Sequence, residues 1–348
     1  MTAGGVLSAY SVLDFTDGEV AFCAKLLGDM GARVTRLEMV GEGALSPDPA
    51  AERYLNSGKE KVSLELATEA GVKEFRRLVG EVDVLVENKR PGYLAGLGLG
   101  YPQLSEINPR LVMVAITGFG QSGPYRDYQS CPLVAAAMGG WLSVCGSPES
   151  PPLQPFGNQA HYFAALFAAN GILLALWARQ ASGRGQYLDI SVMESVTAAL
   201  DHVLVRYLAT GEVAQRQGSL YWNSAFRLFP CQDGYVLLSL QLQWETLVAW
   251  LESEGMADDL NREQYRQPEE RVRHLEHVIA VLERWTLKHT AGELVERGQL
   301  MRFPWAKVMS LPELLNCPQL LERGFFLEAE DASSGRKYKF PGLPWKAR

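Results

Sequence analysis

One histidine at the start of an unusual helix is the side chain with the clearest chemical potential. His161 precedes an almost wholly apolar segment of 17 residues, 162–178, which leads into a glycine-rich turn and an alternating strand. A helix that is apolar all round has no solvent face, so we expect it inside the protein or an oligomer. Its length is at the lower limit for a bilayer span and Asn170 interrupts it, so we predict no membrane partner. At such a position an imidazole could act as a general acid or base near neutral pH.

The other histidines and the cysteines give weaker indications. His274 and His277 have helical ligand spacing, but no partner ligand is evident, so we predict a solvated helix face and no metal site. The five cysteines are scattered, odd in number and without a CxxC pair, which fits a reducing cytoplasm. Cys131 could face His161 as a thiol–imidazole couple, although we expect it to be a small buried apolar residue.

Composition bounds the class of protein. The 348 residues are 47% hydrophobic and 21% charged, which is enough for a large core in one or two domains. The formal net charge is −7 and no Lys/Arg run breaks the balance, so we predict no nucleic-acid partner. The N-terminal residues have neither a basic region nor a continuous apolar stretch, so we expect no signal peptide.

The first third of the chain alternates between predicted strands and helices. The strands lie at 12–15, 33–38, 61–66, 82–87 and 111–117. This βαβ order predicts an α/β fold with a doubly wound, Rossmann-like parallel sheet. No GxGxxG follows the first strand, so a dinucleotide site is not predicted. Ligands of such sheets bind beyond the carboxyl ends of the strands, which singles out loops 16–19, 88–92 and 118–125.

The second half predicts a smaller α/β domain at 220–315. We interpret 221–230 as a loop and predict a strand at 234–240. The predicted helices lie at 244–254, 269–289, 291–296 and 311–323. The large domain would cover 1–215, ending in a helix at 201–216, and the chain would return to it through 320–348.

Several motifs resemble those of family III CoA-transferases, the formyl-CoA and carnitine-CoA transferase type. The pair Ala160-His161, nine further residues, GILLAL and then SGRGQ at 182–186 match the family's central stretch without a gap. DVLVENKRPG at 83–92 and GFGQSGPY at 118–125 are similar to two of its loop signatures. The resemblance covers most of the chain.

This resemblance implies a cleft for CoA between these loops. The residues that it implies at the cleft are Asn88, Arg90, Phe119, Gln121 and Tyr125. The structural alternative is that the glycines and the proline of these loops only turn the chain. The implied substrates are an acyl-CoA and a carboxylic acid, with no tightly bound cofactor. The family's chains thread through one another as interlocked rings, so the resemblance also implies a homodimer or a heterodimer.

The chain departs from the family at the centre of this pattern. The family has a catalytic Asp after the Ala, and its carboxylate attacks the acyl-CoA thioester to form a mixed anhydride. His161 stands at that position and cannot form an anhydride. The first loop carries Asp17 and Glu19 in place of a Gly-Pro pair, and two acids there would repel a phosphate-bearing ligand. We therefore predict a degenerate active site, one that lacks residues of the family's pattern.

Three hypotheses follow from these departures. The chain could be a CoA-transferase subunit without its own nucleophile that works with an Asp-bearing homologue. It could be an acyl-CoA lyase, isomerase or hydrolase in which His161 is the acid or base. It could also be a non-catalytic binding or scaffolding protein. A histidine that is only hydrogen-bonded to backbone at the helix end is the structural alternative for His161.

Overall fold

The computed structural model describes residues 5–41, 48–200, 202–221, 225–330 and 335–346. The chain divides into two compact units. The larger comprises Met1–Cys145, Pro152–Gln215 and Gly324–Arg348, and the smaller comprises Gly146–Pro151 and Arg216–Arg323. The independent domains 1–215 with 320–348 and 220–315 that the sequence suggests stay a prediction.

A parallel sheet of six strands forms the centre of the larger unit. The strands are β1 Ser11–Phe15, β2 Arg33–Met39, β3 Glu60–Leu64, β4 Val84–Glu87, β5 Val112–Thr117 and β6 Tyr187–Ser191. Their spatial order is β3-β2-β1-β4-β5-β6, and every neighbouring pair is parallel. Strands β1, β4 and β5 are buried along their whole length because helices cover both faces. The predicted α/β, Rossmann-like sheet is confirmed, and its strand order reverses between β1 and β4.

Ten helices of the larger unit connect and cover these strands. They are α1 Phe22–Asp29, α2 Pro49–Asn56, α3 Glu69–Glu81, α4 Tyr93–Gly96, α5 Tyr101–Ile107, α6 Pro132–Met138, α7 Trp141–Val144, α8 Gln159–Ser182, α9 Val192–Ala198 and α10 His202–Thr210. Helices α1 and α8 bury one face of the sheet, and α3 and α5 bury the other. Position 201, where the sequence predicts the start of α10, lies outside the described residues.

Helix α8 is the long apolar helix that the sequence predicts. Its buried residues are mostly small, and they are Ala160, Ala164, Ala165, Ala168, Ala169, Ile172, Ala175, Leu176 and Arg179. It is apolar and long enough to cross a membrane by length and composition alone, a test that the core helix of a globular domain also passes. One face is not covered by this chain, since Leu174 is 64% exposed and Trp177 is 76% exposed. Burial is therefore complete on one side only.

The smaller unit has an antiparallel sheet covered by helices. Its strands are β7 Leu220–Tyr221, β8 Phe226–Cys231, β9 Gly234–Ser239 and β10 Ala306–Lys307, in the order β10-β9-β8-β7. Its helices are α11 Trp244–Ser253, α12 Pro268–Arg273, α13 Leu275–Thr286, α14 Ala291–Leu300, α15 Leu311–Leu315 and α16 Pro318–Glu322. A 3₁₀ turn lies at Glu263–Arg266 in this unit, and another lies at Gly18–Ala21 in the larger unit. Trp250, Trp285 and Trp305 contact one another in its core.

Several predicted boundaries in the second half are wrong. The prediction of a loop at 221–230 fails from residue 226 onward, because Phe226–Cys231 forms a strand paired with β9, and positions 222–224 lie outside the described residues. The predicted helix 269–289 breaks at His274, where φ is −107° and ψ is 30°, and its second part ends at Thr286. The predicted helix 311–323 is two short helices because Pro318 begins a new one. The chain then returns to the larger unit as a hairpin, β11 Phe326–Glu330 and β12 Lys337–Pro341.

Candidate active site

The segment Thr16–Ala21, which follows β1, is fixed at several points. The carboxylate of Asp14 accepts from both the backbone N–H and the hydroxyl of Thr16, at 3.2 and 2.6 Å. The side-chain amide of Asn88 pairs with the backbone of Asp17 in both directions, each bond 3.0 Å long. The ammonium of Lys59 donates to the carbonyl of Ala21 at 3.2 Å. The 3₁₀ turn Gly18–Ala21 within this segment is therefore held in one conformation.

A buried ion pair lies beneath this segment. Lys59 Nζ is 2.6 Å from Asp14 Oδ2, and the side chains are 2% and 0% exposed. The same ammonium also donates to Asn56 Oδ1 at 3.0 Å. The ammonium of Lys59 therefore has three hydrogen-bond acceptors, as a buried charge requires.

The fixed turn brings Glu19 against the start of α8. Glu19 Oε2 lies 3.2 Å from Nδ1 of His161, and its Oε1 accepts from the side-chain amide of Asn158. The hydrogen bond from His161 lowers the pKa of the Glu19 carboxyl, and burial opposes this effect. Because an ionised carboxylate only accepts, the proton of the contact belongs to His161 Nδ1.

This pair defines what His161 can do chemically. Both side chains are about one quarter exposed, so they border solvent and are accessible to a ligand. Nδ1–H is held by a carboxylate, and no hydrogen bond to the other ring nitrogen is found within the described ranges, so that nitrogen can accept or donate a proton. An imidazole oriented in this way by a carboxylate is the arrangement of a general acid or base. The alternative of a purely backbone-bonded histidine is not what the geometry shows.

The third loop, Gly118–Tyr128, carries an aromatic cluster. The ring of Phe119 lies 6.1 Å from those of Tyr125 and Tyr128, which are 4.9 Å apart. Tyr125 and Tyr128 are exposed, whereas Phe119 is half-buried. The second loop lies beside it, since a Cβ added to Gly92 would be 3.5 Å from the guanidinium of Arg126.

Gln121 is attached to the last strand of the sheet. Its backbone N–H points at both carboxylate oxygens of Asp189, at 3.0 Å each. Gly120 has a φ of +86°, and a Cβ there would be 3.6 Å from the same two oxygens. The buried side-chain nitrogen Nε2 of Gln121 has no hydrogen-bond partner among the described residues. It is a donor that a bound ligand could satisfy.

Besides Asp189, the carboxyl group of Glu87 lies at the same level of the sheet. The register places Glu87, Ala115 and Asp189 side by side on β4, β5 and β6. Glu87 is 5% exposed and accepts from the backbone N–H of Lys89 at 2.6 Å. Burial is the main cause that raises the pKa of Glu87 to about 7, and the neighbouring Asp189 contributes.

The residues expected at a CoA cleft differ in what they contact. Asn88 is occupied by the backbone of Asp17, and Phe119 and Tyr125 are joined in one cluster. Gln121 carries the unpaired Nε2, and Arg90 is exposed with no side-chain hydrogen bond among the described residues. The second loop thus contacts both the first loop, through Asn88, and the third, through Gly92, while His161 contacts the first loop.

Two expectations from the sequence are corrected. Cys131 is exposed rather than buried, because it precedes α6 at the surface, and the contact found for His161 Nδ1 is Glu19 rather than a thiol. The two acids of the first loop are not isolated charges. Asp17 pairs with Lys89 and Glu19 pairs with His161, which reduces their repulsion of an anionic ligand.

Sequence reasoning missed Glu19 as the partner of His161, together with Asn158, Lys59, Glu87 and Asp189. Glu87 had a signal, since it ends a strand that is otherwise apolar. The pairing of residues 142 positions apart had none. Among the residues that the structure describes, no group of three His, Cys, Asp or Glu side chains could hold a metal ion.

Comparison with known proteins finds similarity to CoA-transferases. A family model described as CoA-transferase family III matches residues 7–348. Subunit BbsE of succinyl-CoA:(R)-benzylsuccinate CoA-transferase from Thauera aromatica is 31% identical, over 99% of this chain and 88% of that protein. The beta subunit of succinyl-CoA–L-malate CoA-transferase from Chloroflexus aurantiacus is 34% identical, over 84% of this chain and 75% of its own length.

A solved structure has the same fold. The crystal structure of a CaiB/BaiF family protein from Brucella suis superposes with a TM-score of 0.89. The alignment covers 99% of this chain and 93% of that chain, at 24% sequence identity. At this level of identity the likeness concerns the fold rather than the chemistry.

Proposed function

The chain belongs to CoA-transferase family III, and we propose that it acts as one subunit of a heteromeric enzyme. That enzyme would move CoA from an acyl-CoA to a carboxylic acid, with no tightly bound cofactor, in the cytoplasm. The Asp nucleophile would come from a homologous partner subunit. The observation that carries this proposal is the imidazole of His161, hydrogen-bonded to Glu19, at the position where the family has its Asp.

The chemistry of the implied reaction supports a partner. The family's Asp carboxylate forms a mixed anhydride with the acyl group, and CoA then attacks the aspartyl carbonyl to give an aspartyl-CoA thioester and release the acyl group as a carboxylate. An imidazole nitrogen cannot form an anhydride, so His161 cannot replace the Asp in this sequence of steps. The loop motifs around Asn88 and Gln121 are nevertheless retained. A subunit that keeps the cleft and lacks the nucleophile fits a division of labour between two homologous chains.

Two relatives support the same assignment. Each of the two is a subunit of a succinyl-CoA-dependent CoA-transferase, one for (R)-benzylsuccinate and one for L-malate. We therefore propose succinyl-CoA as the first donor to test, with an organic acid as acceptor. The candidate ligands of CoA in this chain are Arg90, Phe119, Gln121 and Tyr125, while Asn88 would shape the cleft through its hold on Asp17.

The uncovered side of α8 supports an intimate dimer. Leu166, Phe167, Leu174 and Trp177 are exposed on a helix that otherwise packs into the core. Contiguous exposed apolar surface of this kind marks an interaction site. We propose that the Asp-bearing homologue covers this face in an interlocked heterodimer.

The test compares the purified chain, the homologue and their co-expressed complex for CoA transfer from succinyl-CoA. We expect transfer by the complex, loss of transfer when the homologue's Asp is changed to Asn, and retention when His161→Ala is made here. Transfer by this chain alone as a homodimer would contradict the proposal. Failure of any complex to form, with no turnover, would favour a non-catalytic binding or scaffolding role.

One observation favours a second function. The carboxylate of Glu19 orients His161 as a base or acid, which suits proton transfer on an acyl-CoA in a lyase, isomerase or hydrolase. This function predicts turnover by the chain alone that His161→Ala abolishes. Unchanged turnover in that variant would exclude it.

A further inference from the structure

The ion pair between Asp14 and Lys59 is almost completely buried, and a contribution to stability does not by itself account for it. Neither side chain is more than 2% exposed. Withdrawing two charges from water opposes most of their mutual attraction, so a buried pair is weak evidence of a stabilising role. In some proteins a buried polar or ionic group instead fixes one particular geometry.

The other hydrogen bonds of the pair point to the geometry that it fixes. Asp14 Oδ1 accepts from the N–H and the hydroxyl of Thr16, at one end of the first loop. Lys59 Nζ donates to the carbonyl of Ala21, at the other end. Glu19 lies between these two anchors, and its carboxylate meets His161. No other described cation contacts Asp14.

We propose that Asp14 and Lys59 are positioning residues that hold Thr16–Ala21 so that Glu19 meets Nδ1 of His161. Neither residue touches the imidazole, and both act through the backbone of the turn. The inference goes beyond the proposed function, since it concerns how the site is held whatever substrate it takes. The side chain of Asn88 also holds this segment, through its two hydrogen bonds to the backbone of Asp17.

The experiment follows the imidazole of His161 directly by NMR of protein labelled with ¹⁵N-histidine. The chain has five histidines, and His161→Gln assigns the signal. Glu19→Gln supplies the reference shift for loss of the carboxylate. The test variant is Asp14→Leu/Lys59→Met, which replaces the pair with apolar side chains and leaves no buried charge unpaired. The control is Lys61→Met, which removes an ion pair on the same sheet with a lysine that is 61% exposed and keeps the contact of Glu38 with Arg36.

We expect the Nδ1 signal of His161 in the test variant to move toward its position in Glu19→Gln, by at least half of that shift. The control should leave it unmoved. A folded test variant with an unmoved His161 signal would overturn the proposal, as would a Glu19→Gln variant that leaves His161 unchanged.

A gentler variant keeps the proposal testable if the double variant does not fold. Thr16→Val keeps the shape of the side chain and removes one hydrogen bond to Asp14. It should move the His161 signal in the same direction by a smaller amount, and no movement would overturn the proposal. None of these measurements needs CoA or a partner subunit, so their failure is distinct from failure of the proposed function.

Discussion

Glu19 Oε2 lies 3.2 Å from Nδ1 of His161, although 142 residues separate the two in sequence. The acid of the first loop and the histidine at the start of α8 therefore form one contact rather than two separate features of the sequence.

The coupling between Glu19 and His161 should be measurable in a double-mutant cycle. Glu19→Ala and His161→Ala should show about 1 kcal/mol of interaction free energy in urea unfolding at pH 7, the usual size for such a contact. The folded pKa of Glu19 is lowered from its ordinary value of 4.5. The contribution is therefore present above the unfolded pKa and should disappear as pH falls through the lowered one.

The pair of Glu38 and Lys61, which are 33% and 61% exposed, provides a comparison, because screening by solvent should make its coupling smaller. Equal coupling in both pairs, or coupling that persists at pH 2, would count against a specific contact at His161.

Glu87→Gln should remove a pH dependence of stability. Burial raises the pKa of Glu87 to about 7 from an ordinary value of 4.5, so the folded chain binds the proton more tightly than the unfolded chain. The stability that this provides is complete below the unfolded pKa and is lost as pH rises through about 7. The corresponding free energy is about 3 kcal/mol, since one pKa unit is about 1.4 kcal/mol.

Urea unfolding at pH 5 and pH 8 measures this effect. The difference in unfolding free energy between Glu87→Gln and the unaltered chain should shift in favour of the variant from pH 5 to pH 8. The control Glu60→Gln, at an exposed position of β3, should show no such shift. A parallel change in both variants would mean that Glu87 is not the group responsible.

Asp189 should govern the order of the third loop. Asp189→Leu keeps the size of the side chain and removes both acceptors for the N–H of Gln121, while Asp189→Asn keeps one acceptor oxygen. We expect the Gln121 amide to exchange with deuterium at least tenfold faster in Asp189→Leu, with partial rescue in Asp189→Asn. CoA affinity should weaken in the same order if the loop lines the cleft.

A nearby acid on the same loop serves as the control. Asp127 contacts only Arg126 among the described ion pairs, and Asp127→Asn should alter neither amide exchange nor CoA affinity. Unchanged exchange at Gln121 in Asp189→Leu would show that other contacts, such as that between Met193 N–H and the carbonyl of Gly118, hold the loop.

The sequence predicts the large sheet well because its signal is local. Strands such as 112–117 are continuous apolar runs between helices, and burial on both faces requires that pattern. The strand at Phe226–Cys231 was missed because Arg227 and Pro230 interrupt it. Its partner β9 supplies the stabilising contacts.

The site was only partly predictable for a related reason. Motifs placed His161, Asn88 and Gln121 at strand and helix ends, but their partners depend on how distant loops meet. Glu19 looked like a repelling charge in the sequence, and its contact with His161 gives it a different role. Tertiary pairing of this kind has no periodic signature in a single chain.

The exposed face of α8 offers the last prediction, which concerns assembly. Trp177→Lys should prevent a partner chain from covering this face, because it places a charge where apolar contact would form. Leu300→Lys, on a side chain of the smaller unit that is 85% exposed, is the control. Light scattering after size exclusion should show loss of the dimer in Trp177→Lys only, whether the partner is a second copy or the homologue. Since Trp177 packs on little within its own chain, its thermal unfolding as a monomer should change little. A dimer that survives Trp177→Lys would mean that α8 is not at the interface.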